Sequence, residues 1–335
     1  MELVTKLRIY SETLPFEEVS RPRTIALLRR HELELVLAVR PWELAELPGV
    51  AHVLVDAGIA LSIWPMLSDE EGRWASAANA DAFVRLVRDA VDVLSSAGVA
   101  PREVLLDLEP PFARARALAD GGAGGARGLL GLGAARPRSA PAGAMDAASN
   151  ALAAEVSDLH ARGILTASAV WPLVALDPPG SRGWQSLLGT PVDALATERV
   201  SVMMYTSILE GWSRGALRRR DTTALLAAAS TRVSRRWGPR AGMSLGCVGT
   251  GALIDEPVYR DPSELAEDVA ITRAGGCSDL SLFDLGGVVR REPAEAWLDA
   301  LAHGAEMFDA RTSRRVSAAR RLSRIATWAL GKKRL

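Results

Sequence analysis

Short runs of β-branched and aliphatic residues alternate along this chain with longer stretches whose apolar positions recur every three or four residues. The first pattern predicts buried strands and the second amphipathic helices. Strands are predicted at Leu7–Tyr10, Leu33–Val39, Ile59–Trp64, Val104–Leu108, Leu165–Val170, Val200–Tyr205, Met243–Val248 and Leu280–Leu285. Helices are predicted around Pro22–His31, Trp42–Gly58 with an interruption near Pro48, Ala77–Ala97, Asp146–Arg162, Thr223–Arg236, Pro262–Ala274 and Pro293–His303. In Ala77–Ala97 the residues Phe83, Leu86, Val87, Ala90, Val91 and Leu94 form one apolar stripe, the mark of a helix with a single buried face. Eight strands alternating with helices point to a parallel sheet closed on itself, an α/β fold of the (β/α)8 TIM-barrel type over residues 1–305. An open doubly wound sheet would carry a Gly-rich phosphate loop after its first strand. Ser11-Glu12-Thr13-Leu14-Pro15 is not such a loop.

Two segments break the alternation. Residues 112–145 are rich in Gly, Ala, Arg and Pro and follow the fourth strand; they are expected to form a flexible low-complexity insertion beside the barrel mouth, either a passive expansion or an active-site lid. Residues 306–335 are a basic tail in which Val316, Ala319, Leu322, Ile325, Ala326, Ala329 and Leu330 fall at helical spacing among arginines. A basic amphipathic C-terminal helix is expected there, either docked on the barrel or lying on an acidic protein partner or a membrane surface. The 335 residues carry 40 Lys+Arg and 40 Asp+Glu, a balance that argues against a nucleic-acid partner. Nine basic and no acidic residues lie in 311–335, leaving 31 against 40, a charge of −9, in residues 1–310. The N-terminus lacks the apolar core of a secretory signal, and no run approaches the ~18 apolar residues of a membrane span. A cytoplasmic location is therefore expected, with the tail as the candidate peripheral membrane contact.

Barrels of this kind take their catalytic groups from the C-terminal ends of the strands. There the sequence offers Glu12, Arg40, Ser62, Asp107, Glu109, Tyr205 and Asp284. His31, His52, His160 and His303 fall in predicted helices or at their ends, and Cys247 and Cys277 have no zinc spacing. A His-based triad or metal cluster is accordingly not expected, and no cofactor is implied. The strongest local signal is Leu105-Leu106-Asp107-Leu108-Glu109-Pro110-Pro111. With a side-chain period of two, Leu105, Asp107 and Glu109 share the strand face that points into the barrel. Two carboxylates ~7 Å apart along the backbone, in an apolar mouth, cannot both ionise freely. One should keep its proton near neutral pH, as a general acid must. The alternative is a pair that caps the barrel or binds a loop arginine such as Arg114. Nine Trp against three Tyr and five Phe is a biased aromatic set. Trp64, Trp171, Trp184 and Trp212 are expected on the mouth side, where flat apolar faces stack on sugar rings or pack loops, and Trp74, Trp237 and Trp297 on the helix side. Arg40 is expected to bind a substrate anion or to neutralise Glu109.

Asp107-Leu108-Glu109-Pro110-Pro111 resembles the Asp-x-Glu that ends strand four in family 18 glycoside hydrolases, the chitinase-like barrels. Leu61-Ser62-Ile63 is similar to the start of their strand-three Ser-x-Gly-Gly, and Met203-Met204-Tyr205 to their strand-six Met-x-Tyr. Leu245-Gly246-Cys247-Val248-Gly249-Thr250-Gly251 resembles the Gly-rich end of strand seven, and Leu282-Phe283-Asp284-Leu285 the strand-eight segment that carries an aromatic floor. The chain departs from the pattern at Arg102 and Leu105, where further aspartates precede the pair, and at Trp64-Pro65, which replaces the two glycines. It also departs at Thr206, in place of an Asp, and at Phe283, in place of a Trp. The Asp-x-Glu also resembles that of the family 25 lysozyme-type barrels. The resemblance implies retaining, substrate-assisted hydrolysis of an N-acetylated sugar. Glu109 would be the general acid and base, Asp107 would orient the 2-acetamido group, and Tyr205 would hydrogen-bond it. Tyr10, Glu12, Arg40, Ser62, Trp64, Trp171, Met203, Phe283 and Asp284 are the expected substrate-binding set. The departures leave a catalytically inactive carbohydrate- or protein-binding barrel as a rival reading, and a metal-dependent sugar isomerase or aldolase, with Glu109 and Asp284 as ligands, as a third.

Overall fold

The computed structural model describes residues 7–120, 143–213, 215–251, 255–306, 313, 315–317 and 327. Eight parallel strands close into a barrel in chain order: β1 (Leu7–Ser11), β2 (Glu34–Val39), β3 (Leu61–Pro65), β4 (Glu103–Leu108), β5 (Leu165–Val170), β6 (Arg199–Met203), β7 (Ala241–Gly246) and β8 (Asp279–Phe283). Closure is by β1 against β8, with Leu7 opposite Leu280 and Ile9 opposite Leu282. This is the (β/α)8 barrel expected from the alternation of strands and helices.

Alternation along each strand builds two cores. Ile9, Leu35, Leu37, Ile63, Leu106, Val202, Leu245 and Leu282 point outward into a layer shared with the surrounding helices. Tyr10, Val36, Ala38, Trp64, Leu105, Ala167, Ala169 and Phe283 fill the barrel interior. The helix Ala80–Ser96 meets the outer layer through Phe83, Leu86, Val87, Ala90, Val91 and Leu94, the stripe its period requires. Each large side chain buried this way contributes about 1.5–3 kcal/mol.

Several boundaries differ from the sequence pattern for identifiable reasons. The run Trp42–Gly58 is a short 3-10 turn, Pro41–Glu43, followed by the helix Leu47–Asp56. Pro48 lies in the first turn of that helix, where its missing N–H has no carbonyl to bond and no interruption results. Strand β6 stops at Met203, so Met204 and Tyr205 lie beyond it, and Thr206–Trp212 is helical. The expected insertion at 112–145 opens with a helix, Phe112–Asp120, in which Arg114 donates to the Leu187 carbonyl at 2.8 Å. Residues 121–142, where the flexible part was expected, lie outside the described residues. Most of the tail also lies outside them, but four of its described residues touch the barrel. Ser313 donates to Asp221, Arg315 to the Ala216 carbonyl, Val316 is buried, and Thr327 accepts from the Trp184 indole at 2.9 Å. Among the described residues, no helix is long and apolar enough to cross a membrane.

The N-terminal end of the barrel is closed by charge. Arg8 of β1 pairs with Glu34 of β2 at 2.9 Å and with Asp279 of β8. Arg199 of β6 pairs with Glu103 of β4 and reaches Asp279 at 3.6 Å. Ser62 joins this ring, donating to Glu103 at 3.3 Å. Burial pushes Glu103 up to about 7, with the guanidinium of Arg8 opposing that rise and the neighbouring Glu34 and Asp279 adding to it. Removing one partner of a buried ion pair strands the other, at about 3–5 kcal/mol. Arg199→Met is therefore expected to lower the unfolding free energy by about that amount near pH ~9, where Glu103 is ionised in the wild type, and by less near pH ~5, where Glu103 holds its proton in both proteins. Denaturant unfolding at the two pH values checks this; a loss of equal size at both would contradict the role of charge.

Candidate active site

The opposite end of the barrel is also acidic, but its acids are held differently. Strand β4 delivers Asp107 and, just beyond its end, Glu109, which are 1% and 8% exposed. The flanking strands supply one indole donor to each. Trp64 of β3 donates from Nε1 to Asp107 Oδ2 at 3.1 Å, and Trp171, which follows β5, donates from Nε1 to Glu109 Oε2. An indole N–H satisfies a carboxyl oxygen without bringing a positive charge, so it does not force ionisation as a guanidinium would.

Protonation follows from that environment. Burial pushes Glu109 up to about 8; the Trp171 and Asp107 hydrogen bonds oppose the rise, and the charges of Glu12 and Glu256 add to it. Burial, and then the negative charges of Glu109 and Glu12, raise Asp107 well above the usual carboxylate range. Asp107 Oδ1 is buried and, with both acids ionised, has no donor among the described residues. A single proton held between Asp107 and Glu109 relieves both problems, so the pair titrates as a unit.

Below the carboxyls lies an aromatic floor. Tyr10 meets Trp64 edge to face at 5.1 Å and Phe283 at 6.2 Å, and Tyr205 lies 5.5 Å from Phe283. The Tyr10 hydroxyl points down to Ser244 at 3.1 Å, and burial pushes it up to about 12. Met203 packs on the same inner cluster. Burial likewise raises Tyr205, with the charges of Asp107 and Glu109 contributing, so its phenol is a neutral donor at any physiological pH. Tyr205 is placed by the residue after it. Thr206 donates to the buried Asp268, which also accepts from Tyr259 and from Arg219, each at 2.7 Å. Thr206 therefore anchors the turn that carries Tyr205.

Four of the expected site residues have other partners. Ser62 points into the charged ring at the far end of the barrel and lies away from the mouth, because its place in β3 is opposite Glu103 at the start of β4. Arg40 neither faces an open anion site nor pairs with Glu109; its guanidinium donates to the Glu12 carbonyl at 2.9 Å and to Glu43 at 3.3 Å, bracing the β1 and β2 ends. Asp284 caps the helix Leu285–Arg290, accepting from the Gly287 amide at 2.9 Å, and burial pushes it up to about 7. Glu12 does lie at the mouth, where it accepts from Arg73 Nη1 at 2.9 Å. Among the tryptophans, Trp184 is buried under the tail, and Trp74 belongs to the mouth instead of the helix side, edge-on to Phe112 at 5.7 Å.

Arg73 and Glu256 complete the mouth and carried no signal in the sequence, since both come from loops without periodicity. Arg73 reaches Glu12 from the β3 loop, donates to Asp69 at 2.7 Å and lies over the Phe112 ring at 4.6 Å. That loop is braced by Asn79, whose side chain donates to the Glu71 and Trp74 carbonyls at 2.8 Å and accepts from Ser76. Glu256 accepts from the Gly251 amide at 2.6 Å. Gly251 accounts for the Gly-rich end of β7: a Cβ there would fall 2.2 Å from Glu12 Oε2 and 2.3 Å from the Phe283 ring. Trp42, 65% exposed on the turn after β2, is a further aromatic that the strand-end reading passed over. Among the described residues, no group of three or more His, Cys, Asp or Glu side chains converges to hold a metal ion.

No family model matches the sequence, and no curated protein matches it. Solved structures do resemble it. The glycoside hydrolase domain of PgaB (BpsB) from Bordetella bronchiseptica superposes with a TM-score of 0.51 at 13% identity, over 89% of this chain and 99% of that one. The exo-beta-1,4-mannosidase Op5Man5 from an Opitutaceae bacterium gives 0.50 at 10% identity, over 97% of this chain and 60% of that one. A chitinase from Chromobacterium violaceum gives 0.49 at 15% identity, over 91% and 100%. At these identities the shared property is the barrel fold.

The raised acid leaves a trace in stability. Glu109 keeps its proton to about 8 in the folded chain but loses it near ~4.3 when unfolded. Between those values the folded state binds more protons, so stability falls as pH rises through that window. Glu109→Gln is therefore expected to gain Tm over the wild type as pH goes from ~5 to ~8.5. A Tm difference that is flat with pH, measured by calorimetry, would contradict the raised carboxyl.

Proposed function

We propose that this chain is a glycosidase that hydrolyses a 2-acetamido glycoside with retention, using the substrate's own acetamido oxygen as nucleophile. The observation that carries the reading is the Asp107–Glu109 pair, buried, held by two neutral indole donors and set above an aromatic floor. A conventional retaining or inverting mechanism needs carboxyls on opposite sides of the scissile bond. The pair cannot flank a sugar, because both members come from one strand. The cross-barrel acids have other partners, Glu12 the guanidinium of Arg73 and Asp284, through Oδ1, the Gly287 amide. A nucleophile supplied by the substrate removes the need for an opposing carboxylate.

The chemistry follows from one shared proton. When the acetamido N–H donates to Asp107, that carboxyl becomes the better seat for the negative charge and the proton rests on Glu109. Glu109 gives it to the glycosidic oxygen as the bond to the anomeric carbon breaks, while the acetamido oxygen bonds to that carbon. The positive charge that develops on the acetamido group faces ionised Asp107, and the neutral Tyr205 phenol donates to the same group. Water then adds to the anomeric carbon, returning its proton to Glu109 and releasing the acetamido oxygen. Trp64, Trp171, Tyr10 and Phe283 offer apolar surface to the sugar ring.

The departures from the chitinase-like pattern support an active site more than a lost one. Trp64 takes the place of a glycine and supplies the donor to Asp107, and Thr206 is tied into the network that seats Tyr205. A barrel that only binds carbohydrate has no use for a carboxyl that keeps its proton. Glu109→Gln is expected to lower kcat on an aryl 2-acetamido glycoside by about 10²–10⁴, and the wild type is expected to leave the corresponding aryl glycoside without the acetamido group unhydrolysed. Wild-type turnover by the variant, or equal turnover of the two substrates, would overturn the reading.

A further inference from the structure

We infer that Asn79 is a positioning residue for the Asp107–Glu109 pair: it clips the loop after β3 into a backbone splint that holds both ends of the segment carrying the two acids. The purpose of the splint rests on the glycosidase reading, and its measurement does not.

The need for a splint comes from the sheet. β3 pairs with β4 at Ser62–Glu103 and Ile63–Val104, and there that ladder ends, although β4 continues beside β5 as far as Leu108 opposite Val170. Asp107 therefore sits where β4 has a strand on one side only. A buried main-chain carbonyl still requires a donor. Ala75, fully buried in the loop after β3, provides it: its amide donates to the Asp107 carbonyl at 2.8 Å, and it forms a parallel bridge with Leu108. Three residues earlier in the loop, the Gly72 carbonyl accepts from the Phe112 amide at 3.2 Å. Glu109 lies between these two bonds. Trp64, whose indole donates to Asp107, leads into the same loop, so the main chain and the side chain of that acid are both held by the stretch 64–75.

The loop has no ladder of its own to keep this shape. Gly72, at φ 98°, and Arg73, at φ 59°, are consecutive left-handed residues, and the second carries a side chain that disfavours this backbone. Asn79 supplies what regular structure would. Its Nδ2 donates to the Glu71 and Trp74 carbonyls at 2.8 Å, on either side of the left-handed pair, and its Oδ1 accepts from the Ser76 amide at 2.9 Å and hydroxyl at 3.0 Å. Gly72 leaves room for this clip: a Cβ there would lie 3.0 Å from Asn79 Nδ2 and 3.3 Å from Pro111 Cβ. A displacement of ~1 Å at reacting groups costs up to ~10² in rate, so the fixity of this loop bears directly on the chemistry.

The two indoles that donate to the pair report its position. In full-length protein carrying isotope-labelled tryptophan, the Trp64 and Trp171 N–H signals, each assigned by its loss on substitution with Phe, are expected to shift in Asn79→Ala. In the same variant the Ala75 and Phe112 amides are expected to exchange with solvent about tenfold faster or more, and kcat on an aryl 2-acetamido glycoside to fall by about 10–10². Gly72→Ala, which presses on Asn79 and Pro111 from the other side, is expected to move the same signals and gives the answer if Asn79→Ala does not fold. Indole signals that stay in place in a folded variant, or that move while both amides keep their protection, would overturn the inference. Absence of glycosidase turnover in the wild type would count against the function proposed above while leaving the indole and exchange measurements readable.

Discussion

Two carboxyl groups set side by side in a nearly dry barrel mouth cannot both carry charge, and the arrangement around Asp107 and Glu109 answers to that constraint. Their donors are indoles, which add no charge. Arg73, a cation of the mouth, pairs with Glu12. The phenol of Tyr205 is itself raised by burial and stays a neutral donor. Each choice keeps one proton in the pair where an arginine in direct contact would have removed it.

The two ends of the barrel show the same acids under opposite rules. At the N-terminal end, Glu34, Glu103 and Asp279 meet Arg8 and Arg199 in contact pairs, and the ring seals the barrel. At the mouth Asp107 and Glu109 are left with neutral partners. The first arrangement serves stability; the second gives up stability above mildly acidic pH to hold a proton ready. Glu103 is the intermediate case, raised by burial despite its arginine. Identity of residue does not distinguish these roles, whereas the charge of the partner does.

The barrel was legible in the sequence because both cores are apolar and the strands repeat with period two. Asp107 and Glu109 were legible for the same reason: they continue the inward face of β4 past Leu105. Strand β6 read too long because Met204 and Tyr205 extend the apolar run after the ladder has ended. Ser62, Arg40 and Asp284 were recognisable as polar residues in or after strands, but which partner each finds depends on register and on helices that begin nearby. Ser62 sits opposite Glu103 only because β3 and β4 are offset as they are. Arg73 and Glu256 reach the mouth from loops, where no periodicity marks them, and the buried Trp184 indole is taken by Thr327, far away in the sequence. Polar residues in strands are thus readable as candidates, and their partners are set by tertiary contact.

The central claim is that Asp107 and Glu109 hold one proton between them at neutral pH. Carboxyl-carbon NMR of protein labelled at Asp and Glu side chains, assigned with Asp107→Asn and Glu109→Gln, tests it directly. One member of the pair is expected to show the chemical shift of a protonated acid at pH ~7 and to lose it near 8. Two fully ionised carboxylates at pH ~7 would contradict the account.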